Sequence, residues 1–316
     1  MRPLAPVRTM NTPAFPTVLV PLDGSGFAEQ ALPVAAALAR RTGATLHLAT
    51  VQVPMAVLAP GAEEFAVDAN VDRELREQLQ GYLASTARAI STPHGLELTS
   101  TVLDGLPADA LAHYARAKHV ALIVMTTHGH GGLSRLWLGS VADRLLRRVT
   151  VPVLLLRPGE EPPQTEFRRI LVALDGSSES EAVVEPAVAL GSPARDVHHT
   201  LIQVVEPPVA LITRMAMQPV HLRPHWREHQ ENRARSYLER VANRLRARGL
   251  AVTTQVLSAR GPGEQIVKCA HAAGADLVAV GTHGSRGLER MLLGSVADKV
   301  LRGATQPVLV VPVRIE

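Results

Sequence analysis

A disulfide framework is excluded at once, because the chain holds a single cysteine, Cys269. One thiol suits a reducing compartment. It falls in the apolar pattern of Ile266, Val267 and Ala270, which reads as a buried helix position and not as a reactive nucleophile. Aromatic residues are scarce, at 3%, so any core must be built from Ala, Val and Leu. The same scarcity removes the stacking platforms that single-strand nucleic-acid binders need. No segment approaches the ~18 apolar residues of a membrane span. The first sixteen residues carry prolines and two arginines but no apolar run of signal-peptide length. The expectation is a cytoplasmic protein with neither membrane nor nucleic acid as partner.

What remains is an ordinary globular composition. Apolar residues make up 46%, and the net charge is +4. The positive excess alternates with acids in amphipathic stretches such as Arg227 to Arg248, which reads as a solvated helix face.

The chain repeats itself. Gly281-Thr282-His283-Gly284-Ser285-Arg286-Gly287, then Gly294-Ser295, answers Thr126-Thr127-His128-Gly129-His130-Gly131-Gly132, then Gly139-Ser140. The shift is 294 − 139 = 155, and Leu122 to Leu154 matches Leu277 to Leu309 at roughly half its positions. Earlier, Val18 to Ser25 answers Ile170 to Ser177 at a shift of 175 − 23 = 152. Two homologous domains follow, 1–157 and 168–316, with proline-rich residues 158–167 as the linker.

Each repeat alternates strand and helix. The strands are expected at Val18–Leu22, Leu46–Val53, Leu98–Leu103, Ala121–Met125 and Val151–Leu156. In the second copy they fall at Ile170–Leu174, Thr200–Val205, Val252–Leu257, Leu277–Val280 and Val308–Val311. Most are continuous apolar runs, as in strands covered on both faces. Leu75, Leu79, Tyr82, Leu83, Thr86 and Ile90 share one helix face, as do Leu238, Val241, Ala242 and Leu245. Pro33 and Pro186 predict a kinked or shortened first helix in each unit. The pattern implies an α/β fold: two tandem doubly wound, five-stranded parallel sheets of Rossmann-like order 3-2-1-4-5. In such a sheet the ligand crevice opens between strands 1 and 4 at their carboxyl ends. The loops leaving those strands are the ones that repeat most faithfully.

Those loops suit a polyphosphate. Gly281, Gly284 and Gly287 let a ligand touch the main chain. Gly294-Ser295-Val296 opens a helix whose first amides lack intrahelical partners and carry the dipole behind them. Ser295 can cap that helix, bond a phosphate oxygen, or both. No lysine occupies a Walker A position, so binding with slow turnover is expected. Asp175 can accept hydrogen bonds from a ribose or an adenine amine, or simply make an Asp-Gly-Ser turn that caps the next helix. Val204 and Ala173 can pack on a flat base. His128 and His283 lack a Cys or acidic partner at ligand spacing. His225 and His229, four apart with His221 before Pro224, read as exposed helix residues before a metal pair. Asp143 and Asp298 suit a helix dipole and need no further role.

The spacing Gly281, two residues, Gly284, nine residues, Gly294-Ser295 resembles the universal stress protein family, over nearly the whole chain and as two tandem domains. The resemblance implies an adenine-nucleotide site binding ATP, with Mg2+ held by the phosphates. It assigns Ala173, Leu174 and Asp175 to the nucleoside and Val204 to adenine. Gly281, Thr282, His283, Gly284, Arg286 and Gly287 surround the phosphates, and Gly294, Ser295 and Val296 close the phosphate end. In the first copy the matching residues are Pro21, Leu22, Asp23, Val51, Gly105, Thr126, His128, Gly129, His130, Gly132, Gly139, Ser140 and Val141. Each copy departs once from the family pattern. Thr126 replaces the leading glycine in the first. Arg260-Gly261-Pro262 replaces Gly-x-Pro, seen as Gly105-Leu106-Pro107, in the second. Arg260 either closes over the nucleotide or lies in solvent. Both copies are expected to bind, the second more tightly.

The last strand of each unit should lie at a sheet edge, and edges recruit strands. The resemblance implies pairing between domains, making the chain a pseudo-dimer that pairs again as a homodimer; the alternative covers each edge within its own domain. Three function classes stay open: an ATP-binding stress-response regulator with an unknown protein partner, a weak ATPase or autokinase, and a nucleotide-free interaction module.

Overall fold

The computed structural model describes residues 14–54, 69–91, 96–127, 138–159, 163–191, 196–206, 226–282 and 293–312. In the first half, strands β1 (Thr17–Pro21), β2 (Thr45–Gln52), β3 (Leu98–Asp104), β4 (Leu122–Thr126) and β5 (Val153–Leu156) alternate with helices. These are α1 (Gly26–Glu29), α2 (Ala31–Thr42), α3 (Ala69–Ser91), α4 (Pro107–Ala117) and α5 (Ser140–Leu146). The second half repeats the plan with β6 (Arg169–Ala173), β7 (His198–Val205), β8 (Ala251–Ser258), β9 (Leu277–Gly281) and β10 (Val308–Val311). Its helices are α6 (Val184–Leu190), α7 (Trp226–Arg246), α8 (Pro262–Ala272) and α9 (Ser295–Gly303).

Local chemistry explains the boundaries. Pro107 and Pro262 open α4 and α8, where a missing N–H costs nothing. Gly43 ends α2 in the left-handed conformation, φ 71°. Pro33 is the third residue of α2 and Pro186 the third of α6, inside the first turn where proline is tolerated. The expected break falls just before each: Gln30 separates α1 from α2, and a 3-10 turn, Glu179–Val183, precedes α6.

The strands form one sheet in the order β3-β2-β1-β4-β5-β10-β9-β6-β7-β8. Each half therefore has the order 3-2-1-4-5, parallel throughout. The halves join where β5 and β10 run antiparallel, with Leu154 opposite Leu309, Val153 opposite Val310 and Leu155 opposite Val308. Because 309 − 154 = 155 is also the repeat shift, Leu154 faces its own counterpart. A pseudo-twofold axis thus passes between the two leucines, the geometry of an isologous dimer written into one chain. This settles the edge question in favour of pairing between the halves.

Both apolar layers continue through that junction. One face of the sheet gathers Val18, Leu46, Leu154, Leu309, Leu201 and Leu238; the other gathers Leu19, Leu145, Leu155, Val308, Val278 and Val300. Polar groups reinforce the join. Arg41 Nη2 donates to Leu190 O at 3.0 Å, and Arg157 Nη2 to Leu301 O at 2.6 Å, each placing a guanidinium on the carboxyl end of a helix in the other half. Burial lowers both arginine pKa values from their ordinary range. Asp143–Arg147 on α5 and Asp298–Arg302 on α9 are pairs four residues apart that lie within electrostatic reach of each other.

Three packing details differ from expectation. Leu83 is buried on α3, but Leu75 is 38% exposed, so the apolar stripe of that helix stops short of its first turns. Phe167, at the end of the expected linker, is buried in the core and bridges Gly191, as its counterpart Phe15 is buried in the first half. Cys269 on α8 is half-buried, and that burial raises its thiol pKa, which keeps it protonated.

A fourth detail predicts a pH dependence. His199 pairs with Ile170 where Leu46 pairs with Val18, so it occupies a leucine position of the repeat. It is 1% exposed, and neither ring nitrogen has a hydrogen-bond partner. Burial lowers its pKa below 6.5, more than the nearby Ala251 main chain raises it; His198 and Arg248 push in the lowering direction. The unfolded chain then binds the proton more readily than the folded one. Stability is fully present above pH 6.5 and falls as pH drops toward the folded-state pKa, by up to about 1.4 kcal/mol per pH unit. His199→Leu is expected to flatten that loss in urea denaturation between pH 7.5 and 5.5. Half-buried His47, also shifted down by burial, leaves a residual slope. An unchanged slope in the variant would refute the assignment.

Candidate functional site

Two cavities open at the carboxyl ends of the strands, one per half, where the order reverses between strands 1 and 4. The first, about 350 Å³, is lined by Pro21, Leu22, Asp23, Val51, Thr126, Gly139, Ser140 and Val141. The second, about 470 Å³, is lined by Ala173, Leu174, Asp175, Val204, Gly281, Thr282, Gly294, Ser295 and Val296. These are the site residues expected from sequence. Two other residues singled out in the sequence behave differently. Gly105 does not line the first cavity: it takes φ 118° and donates its N–H to Gln52 O, while Pro107 and Leu111 form that wall. Arg260 is exposed and does not line the second cavity, so it lies in solvent. Gly261 takes the positive φ, 69°, one residue later than Gly105 does. His128, Gly129, His130, Gly132, His283, Gly284, Arg286 and Gly287 lie outside the described residues, as do His221 and His225. Among the described residues no cluster of three or more metal-ligating side chains occurs.

Each cavity has three walls. The first is the aspartate turn. Asp23 Oδ1 accepts from Ser25 N–H at 3.0 Å and Ser25 Oγ at 2.5 Å, and Ser25 Oγ accepts from Ala28 N–H at 3.1 Å. Asp175 and Ser177 repeat this at 3.0 and 2.5 Å, with Ser180 N–H on Ser177 Oγ at 3.1 Å. The turn-and-cap reading of Asp-Gly-Ser is therefore realised, and the same aspartates still face the cavities. Gly24 and Gly176 hold φ 81° and 92°, which a side chain would strain. Tyr237 pins the second turn by donating to Ser177 O at 3.2 Å; burial pushes its pKa up to about 12, so it remains a donor.

The second wall is apolar, supplied by Val51 and Ala49 in one half and by Val204 and Ala173 in the other. The third is the helix start. Gly139 flanks α5 and Gly294 flanks α9, neither with a side-chain cap, so Ser140 and Ser295 are the first helical residues and do not cap. Their exposed hydroxyls and the first-turn amides face the cavity. Gly139 N–H bonds Thr127 O at 2.8 Å and Gly294 N–H bonds Thr282 O at 2.7 Å, which clamps each helix start onto the strand that precedes it. In the first half Thr126 is buried where the second has Gly281, and the first cavity is the smaller.

Sequence reading missed part of the second cavity: Glu206, Gly261, Gly263 and Lys299 also line it. The Lys299 ammonium meets Glu264 Oε1 at 2.8 Å. One signal pointed there: Lys299 stands four residues after Ser295, on the same helix face.

A duplicated doubly wound sheet with one crevice at each switch point defines a tandem Rossmann-like α/β protein. The universal stress protein family matches residues 14–157 and 166–312. A universal stress protein of Mycolicibacterium smegmatis is 28% identical over 301 residues, covering 93% of this chain and 96% of its own. A second, from Mycobacterium tuberculosis, is 30% identical over 230 residues, covering 70% of this chain and 71% of its own. The solved structure of a universal stress protein from Archaeoglobus fulgidus superposes with a TM-score of 0.65 at 19% identity, covering 96% of this chain and 97% of its own, a likeness of fold. The chain belongs to the universal stress protein family, as a tandem-domain member.

Proposed function

We propose that each half, 1–157 and 168–316, binds an adenine nucleotide, ATP with Mg2+ on its phosphates, and that occupancy regulates a protein partner in a stress response. The observation that carries this reading is the convergence, twice in one chain, of a carboxylate turn, an apolar strand-end wall and an uncapped helix start on one cavity. The base packs on Val51 or Val204, the ribose hydroxyls donate to Asp23 or Asp175, and the phosphates lie on the amides at Ser140–Val141 or Ser295–Val296. The glycine pattern of the family supplies the rest of the phosphate loop, including His128 to Gly132 and His283 to Gly287. Neutral donors dominate the phosphate end, which favours holding ATP over cleaving it. The roomier second cavity, with Gly281 in place of Thr126, binds more tightly. We place the protein in the cytoplasm, as a homodimer of tandem chains.

The test is mass spectrometry of small molecules released from the denatured protein, followed by calorimetric titration with ATP. Adenine nucleotide is expected in the released fraction, with two binding events. Asp175→Ala should weaken the tighter event and Asp23→Ala the weaker one, each by about tenfold or more. Absence of adenine together with no heat on titration sinks the proposal. Steady phosphate release well above background would instead make the protein an ATPase.

A further inference from the structure

The two crevices differ at one helix contact. In the second half α8 begins Pro262-Gly263-Glu264 and lies directly against α9. A Cβ built on Gly263 would come 2.6 Å from Lys299 Cβ, 3.0 Å from Val296 O and 3.6 Å from Lys299 Cδ. The missing side chain is therefore the space along which the Lys299 stem runs; Lys299 lines the cavity with Ser295, and its ammonium meets Glu264 at 2.8 Å. In the first half the corresponding residue is Ala108, and its Cβ occupies that space. There the neighbouring acid, Asp109, pairs with Arg148 one turn further along, and Arg144, the counterpart of Lys299, does not line the cavity.

We propose that Lys299 is a phosphate-counting residue of the second crevice, exchanging Glu264 for the outer phosphates of a nucleoside polyphosphate. This rests on the reading of that crevice as a nucleotide site. The Lys299–Glu264 pair is more than half exposed on both sides, 53% and 61%, so water screens it and little is lost when it opens. The screened Glu264 carboxylate then competes with several phosphate charges for a compact, flexible ammonium. Glu206, also on the cavity wall, adds a second negative charge near Lys299, and Lys268 offsets part of the charge of Glu264. A monophosphate, held by the helix amides, gains nothing from the exchange. The second crevice should thus prefer ATP to AMP, whereas the first should discriminate little.

Calorimetric titrations of the full chain with ATP and with AMP test this, using wild type, Lys299→Met and Glu264→Gln. Lys299→Met is expected to weaken ATP at one of two sites by about tenfold, with AMP changed less than about twofold. Glu264→Gln, which frees the ammonium, should tighten ATP several-fold and leave AMP alone. Equal losses for ATP and AMP, or an unmoved ratio in both variants whose thermal melts match wild type, overturn the proposal. Wild-type protein that binds neither nucleotide overturns the parent reading as well, which separates the two failures.

Discussion

Leu309→Ala is expected to lower the stability of the entire chain by about 3 kcal/mol, not of its second half alone. Leu309 is fully buried, sits opposite Leu154 on the pseudo-twofold axis, and belongs to an apolar layer that continues from Val18 in one half to Leu201 in the other. Removing its isobutyl group leaves a cavity that the junction cannot collapse around, because the β5–β10 register fixes both flanking backbones. For one cooperative unit of 316 residues the melting temperature should fall by roughly 4–5 °C. Leu154→Ala should cost about the same, and the double variant should depart from the sum, since the two side chains share one site. Heat or urea denaturation followed by circular dichroism should show one transition for every variant. Two transitions, with only that of the half carrying the substitution displaced, would mean that the halves are independent and the shared layer is energetically idle.

Much of this architecture was legible beforehand, because the duplication multiplies every signal. Continuous apolar runs gave the parallel strands, and their alternation with helices gave a doubly wound sheet whose expected order, 3-2-1-4-5, both halves adopt. The apolar last strand of each unit marked a sheet edge, and the family resemblance implied that the two edges pair, as β5 and β10 do. The cavity walls were legible for the same reason: Asp23 and Asp175 stand just after a strand, Val51 and Val204 at the carboxyl end of one, and Ser140 and Ser295 at a helix start, where chain order fixes position.

What escaped depends on contacts between segments distant in sequence. Gly105 looked like a ligand contact, yet its positive φ serves a turn and Pro107 forms the wall. For Arg260 the sequence left two readings, a lid or a solvent residue, and Gly261 decides for solvent by taking over the turn geometry. His199 falls just before the strand expected at Thr200–Val205, and only its pairing with Ile170 shows that it replaces a core leucine of the repeat. The spacing from Ser295 put Lys299 on the cavity face, but its close approach to Gly263, 36 positions earlier (299 − 263), is reported by no periodicity within either helix.

That approach yields the last large effect. Gly263→Ala is expected to destabilise the protein by about 1–3 kcal/mol and to weaken the second crevice for nucleotide by about tenfold, leaving the first unchanged. The new Cβ would meet Lys299 Cβ at 2.6 Å and the Val296 carbonyl oxygen at 3.0 Å, one a stem atom fixed by its helix and the other main chain. Neither can swing aside, so α8 must lift from α9 and drag the helix start at Ser295–Val296 with it. Truncating the lysine cannot relieve this, because Lys299→Ala keeps the Cβ that collides; Lys299→Gly removes it and should recover part of the lost stability. The reciprocal Ala108→Gly change opens space instead of closing it, and should cost only about 1 kcal/mol from helix propensity. Denaturation midpoints and ATP titrations of the four variants read both consequences. If Gly263→Ala leaves stability and nucleotide affinity at wild-type values, α8 and α9 are not in the contact that shapes the second crevice.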